Sequence, residues 1–146
     1  MSVDLTIQKQ QDFLNLPSDK QLQRFINEAY LNPENETEVT LRIVDEAESR
    51  SLNCEFRDKD KPTNVLAFPY DIPGYLGDLV VCAPVVSNEA QEQDKELLAH
   101  WAHLLIHGTL HLQGYDHVDE SERLVMEALE IKLLEQLGFP NPYEDE

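Results

Sequence analysis

The sequence predicts an α+β fold: a small, mostly four-stranded mixed sheet covered by helices, with a central buried helix that carries histidines. Three observations support this. Short apolar runs with strand character recur at residues 3–7, 39–43, 65–68 and 79–82; a helical pattern separates the first two, and almost everything after Ala83-Pro84 is helical; and residues 97–112 are apolar on nearly every side. At 146 residues with 41% apolar side chains, the chain suits one domain over residues 1–146, a size that buries roughly 68–70% of its unfolded surface.

Val3, Leu5 and Ile7 alternate with polar residues, as a half-buried strand does. Pro17-Ser18 opens a helix with Ser18 as N-cap and Leu22, Phe25, Ile26 and Ala29 as its apolar stripe, and Asn32-Pro33 ends it. Val39, Leu41 and Ile43 repeat the alternation in a second strand that finishes near Asp45. Residues 46–55 read as a short helix. Val65–Phe68 is a third strand stopped by Pro69, and Leu79–Cys82 a fourth entered through Gly77-Asp78, with a turn-rich connection at residues 70–75. Residues 85–93 give a helical turn or two, and a longer run extends from Asp94 to Gly114. The last helix starts at Asp119, shows Leu124, Ala128, Ile131 and Leu134 among its apolar positions, and stops at Gly138. The tail from Phe139 onward is expected to fray.

Composition narrows the function. No apolar run reaches the ~18–20 residues that a membrane span needs, and Met1-Ser2-Val3-Asp4 shows neither the basic nor the apolar region of a secretory signal, so no membrane partner and a cytoplasmic location are expected. Cys54 and Cys82 lie in different apolar segments and read as buried free thiols. The net charge of −18 argues against non-specific coating of nucleic acid. Yet Arg50, Arg57, Lys59 and Lys61 gather within twelve positions beside only Glu55, Asp58 and Asp60, leaving that window at +1 and the rest of the chain at −19. One local anion site remains open.

The apolar segment 97–112 has strongly polar side chains only at His100, His103, His107 and His111. At 3.6 residues per turn they fall within an arc of about 80°. Imidazoles buried without partners are costly, and a metal is one partner. His107 and His111, four residues apart, place two rings on one side of successive turns; Gly114 suits a left-handed helix stop, after which the chain can bring His117 to the same point. Three nitrogens and an open fourth position are the catalytic arrangement for zinc, so one Zn²⁺ per chain is expected on His107, His111 and His117. His103 reads as a support behind the ligands or a packing residue, and His100 as partly exposed. The spacing equals that of the metzincin peptidases, but Gly108 stands where their general-base glutamate would be. That weakens a peptidase reading and leaves room for something bulky to approach the helix.

The run His107-Gly108-Thr109-Leu110-His111-Leu112-Gln113-Gly114-Tyr115-Asp116-His117 resembles the H-G-x-L-H-L-x-G-Y-D-H signature of the YbeY family. Leu52-Asn53, Phe56-Arg57 and Asp60-Lys61-Pro62-Thr63-Asn64-Val65-Leu66-Ala67-Phe68-Pro69 are similar to a second block of that family, and Leu76-Gly77-Asp78-Leu79 to a third. Asn64 and Ala67 depart conservatively from the expected Asp and Ser. The resemblance implies a single-strand-specific, metal-dependent endoribonuclease acting on the 16S rRNA precursor 3′ end and in quality control of the small ribosomal subunit. It implies zinc on His107, His111 and His117, and a functional arginine at Arg57; the basic window around Arg57 offers Lys59 and Lys61 as further RNA contacts. An ion pair to Asp58 or Asp60 is the ordinary alternative for Arg57; Asp78 could orient a ligand or cap a turn, and Asp116 could support the metal from behind. A fourth protein ligand, His103 or an aspartate, would instead make a closed structural zinc site and a non-catalytic subunit-assembly factor.

Overall fold

The computed structural model describes residues 2–116 and 118–143. Strand β1 (Val3–Lys9) leads through helix α1 (Asp19–Ala29) to β2 (Thr37–Val44). Helix α2 (Glu46–Arg57) then precedes the hairpin of β3 (Val65–Ile72) and β4 (Tyr75–Cys82), and α3 (Ala83–Glu92), α4 (Leu97–Leu112) and α5 (Glu120–Gln136) complete the chain. The sheet runs β1-β2-β4-β3, parallel except for the β3–β4 pair, so it is mixed and four-stranded as expected. No helix among the described residues is long and apolar enough to cross a membrane.

Local signals explain most boundaries. Ser18 caps α1 through a complete capping box with Gln21, which satisfies two backbone donors at once. Helix α4 ends in a Schellman turn: Gly114 takes φ +98°, its N–H donates to His111 O at 3.0 Å, and Tyr115 N–H donates to Leu110 O at 3.1 Å. Pro69 does not stop β3, contrary to expectation, and residues 70–75 are strand ends around a tight turn at Pro73-Gly74. The reason is topological. β3 is the sheet edge, where a residue without an N–H is tolerated, and the register shifts between Pro69 and Ile72.

One sheet face carries Val39, Leu41, Ile43, Leu79 and Val81 into the main core, which α4 covers and to which α1 and α5 also contribute. The other face is covered in part by α2, over a smaller cluster of Val44, Leu66, Val80 and Cys82. Helix α4 touches α1, α3, α5, β3 and β4. Its Trp101, Leu105, Ile106 and Leu110 are fully buried, each contributing roughly 1.5–3 kcal/mol of burial, so the helix is a fixed rail for whatever its open stripe carries. It lies tightly on the sheet at Gly108, where a Cβ would come within 2.8 Å of Leu79 Cδ2 and 3.4 Å of Val65 Cγ2. What approaches the helix there is its own sheet.

Three other expectations are corrected. Cys54 is exposed, because α2 turns Ser49 and Asn53 inward instead, where they bond Thr63 and the Lys61 carbonyl and hold the loop before β3. Cys82 is buried as expected. Helix α5 buries Met126, Glu130, Leu133 and Leu134, whereas Leu124 and Ala128 face solvent; a glutamate within the buried stripe concealed its phase. Finally, residues 139–143 of the tail dock against the molecule rather than fray, while residues 144–146 lie outside the described residues.

Candidate metal centre

A cleft of about 720 Å³ opens between α4 and the β3 edge of the sheet, lined in part by Arg57, Asn64, His103, His107, His111, Asp116 and Tyr143. His107 and His111 point the same way from successive turns of α4. Their Nε2 atoms lie 3.1 Å apart and the ring centroids 4.6 Å apart at 79°. Two nitrogens bound tetrahedrally at 2.0–2.1 Å would sit about 3.3 Å apart. The pair therefore fits a shared metal ion with almost no movement.

The reverse side of His107 is equally defined. Its Nδ1–H donates to Glu130 Oε2 at 2.5 Å, which turns the Nε2 lone pair toward His111. A carboxylate behind a metal-binding imidazole fixes its tautomer and raises its basicity. Glu130 projects from α5 and is 0% exposed. Burial alone would raise its pKa, but hydrogen bonds from His103, His107 and Tyr143 outweigh that and lower it to about 2. His103 Nε2 lies 2.9 Å from the other oxygen, Oε1, and Tyr143 also donates its hydroxyl to Oε1. Burial, and then the same contact, push the Tyr143 hydroxyl well above its usual range.

Neither Glu130 nor Tyr143 was among the expected site residues. A signal for Glu130 was present: it stands four residues after Met126 and three before Leu133, an acidic residue inside an apolar stripe. Tyr143 gave none, sitting in a polar tail beyond the last helix.

The structure brings Arg57 to the cleft as the last residue of α2, which a left-handed Asp58 terminates at φ +56°. Its guanidinium reaches Ala67 O at 3.4 Å; of the two suggested ion-pair partners, Asp58 and Asp60, Asp60 is bound instead by Arg50 at 2.6 Å. Lys59 and Lys61 do not line the cleft. Asp116 does, just beyond the glycine turn. Asp78 does not line it and accepts bonds from Tyr70 and Tyr75 at 2.7 and 2.5 Å. His117 falls outside the described residues; among those described, no three His, Cys, Asp or Glu side chains form a metal-holding group.

His100 is buried at 4% exposure, contrary to expectation, because α3 covers that end of the stripe and Glu89 takes its Nε2 at 3.0 Å. Asn64 also donates to Glu89, at 3.1 Å. An aspartate at position 64 could not make that bond.

The sequence pattern of a known family, described as endoribonuclease YbeY, matches residues 6–138. The solution structure of TM1509 from Thermotoga maritima is similar in fold: 23% identity, TM-score 0.57, covering 97% of this chain and 100% of that one.

Proposed function

The chain belongs to the endoribonuclease YbeY family, and on that premise we propose that it is a zinc-dependent, single-strand-specific endoribonuclease. Its substrate would be the 3′ end of the 16S rRNA precursor, with the small ribosomal subunit as partner and a role in that subunit's quality control, in the cytoplasm. The observation that carries the metal part of this reading is the 3.1 Å convergence of His107 and His111 Nε2 in an open cleft, with Glu130 behind His107.

His107 and His111 would hold the ion together with His117. Bound there, zinc supplies Lewis acidity toward a phosphodiester and acidifies water at neutral pH. Arg57 would bind the scissile phosphate and offset charge gathering on its oxygens. Lys59 and Lys61 would meet RNA outside the cleft, where a +1 window interrupts an otherwise acidic chain. A recessed site beside a buried helix favours single strands, since a duplex cannot bring its backbone down to it. A peptidase reading is opposed by Gly108, which puts no carboxylate on this wall of the cleft and where even a Cβ would come within 2.8 Å of Leu79 Cδ2.

The test is cleavage of a single-stranded RNA spanning a 16S precursor 3′ end, with metal content measured on each preparation. His111→Ala should lose metal and cleavage together; an active, metal-loaded variant would refute the scheme. Arg57→Glu should retain full metal content and cleave at least 100-fold more slowly, the scale on which removal of a transition-state donor is felt. Unchanged cleavage would remove Arg57 from the chemistry.

A further inference from the structure

Beyond α5 the described residues 137–143 lie against the body of the molecule. Pro140 and Pro142 restrict their backbone, and three contacts fasten them. Phe139 packs edge-on against Phe25 at 5.7 Å, Lys95 Nζ donates to Pro142 O at 3.0 Å, and Tyr143 N–H donates to Asn141 Oδ1 at 2.8 Å. These contacts deliver Tyr143 to the wall of the cleft, with its ring edge-on to His103 at 5.3 Å and 87°.

The Tyr143 hydroxyl ends at Glu130 Oε1, which His103 Nε2 also meets at 2.9 Å, and the phenol oxygen lies 3.1 Å from that same nitrogen. Glu130 Oε2 faces His107 Nδ1. The terminal torsion of a glutamate is soft and roughly two-fold. Without Tyr143 the carboxylate is held only by two imidazoles of α4, one on each oxygen; a third donor, arriving on Oε1 from a different element, narrows the swing of its plane. Once Oε1 is fixed, the direction of Oε2 is set, and with it the ring of His107.

We propose that Tyr143 is a positioning residue of the metal centre: with His103 it clamps Glu130, and Glu130 in turn aims His107. This rests on the reading of His107 as a metal ligand and makes the C-terminal segment part of the site. The docked tail is then the third side of a metal-site scaffold whose other sides are α4 and α5.

The experiment uses the full chain, wild type and Tyr143→Phe, stripped of metal and titrated with Co²⁺ followed by visible absorption. Phenylalanine keeps the ring against His103 and removes only the hydroxyl. The variant should bind Co²⁺ about tenfold more weakly, the low end of what loss of a supporting contact costs. Its spectrum at saturating Co²⁺ should shift, and at saturating metal kcat for RNA should fall while KM stays constant. A purely structural role would leave the saturated spectrum and the kcat–KM split unmoved. Equal affinity and an identical spectrum would overturn the positioning role and leave the metal reading standing. A wild type that takes up no Co²⁺ would overturn the metal reading itself, and this proposal with it.

Discussion

Two imidazole–carboxylate clusters stand on opposite ends of the same stripe of α4, and they differ in what they leave exposed. At one end Glu130 joins His103, His107 and Tyr143, and His107 still presents Nε2 to His111 in the cleft. At the other, Glu89 joins His100 and Asn64, and His100 is 4% exposed beneath α3. The residue types are nearly the same. An imidazole–carboxylate pair is thus no site in itself. What makes one is a second nitrogen on the same ring with an open approach and a neighbour placed at chelating distance.

Neutralising each carboxylate in turn is the sharpest way to break this comparison. Glu130→Gln should reduce zinc affinity 10–100-fold, because an amide cannot accept on both sides and would set its NH₂ against one of the three donors. Glu89→Gln should leave zinc affinity unchanged and cost about 1–2 kcal/mol of stability through the weakened bonds to His100 and Asn64. Competition with a chromophoric chelator, followed by urea unfolding of the metal-free proteins, measures both effects. Equal losses of affinity would mean that the two clusters act as one network through the His100–His103 contact, whose ring centroids are 6.4 Å apart.

The sequence made the cleft-facing imidazoles of this site legible and hid the groups behind them, for a physical reason. His107, His111 and Gly114 declare themselves because a helix fixes the geometry of i and i+4 neighbours and a left-handed stop needs glycine. Glu130 and Tyr143 reach the site through tertiary packing, 23 and 36 residues after His107, at positions no local period relates to it. His100 was misplaced for the same cause, since its exposure depends on where α3 lies. The sheet order was likewise inaccessible: alternation reports which face of a strand is buried, not which strand is its neighbour. Pro69 misled because its effect depends on whether β3 is central or at an edge.

A smaller effect sharpens the contrast from the buried end. Burial lowers the pKa of His100, against the opposing pull of Glu89 and with a small further push from His103 and Lys95; Asp94 and Glu96 also border the cavity beside it. Protonation would also place an N–H at Nδ1, where no acceptor is found among the described residues. With the folded pKa below the ordinary 6.5, the unfolded chain takes up this proton first. Stability from the neutral ring is therefore complete above about pH 6.5 and declines as pH falls below it. His100→Gln cannot titrate, so its urea midpoint should fall less than that of the wild type between pH 7.5 and pH 5.5 in metal-free protein. A parallel fall in both would mean that His100 is not the group being charged.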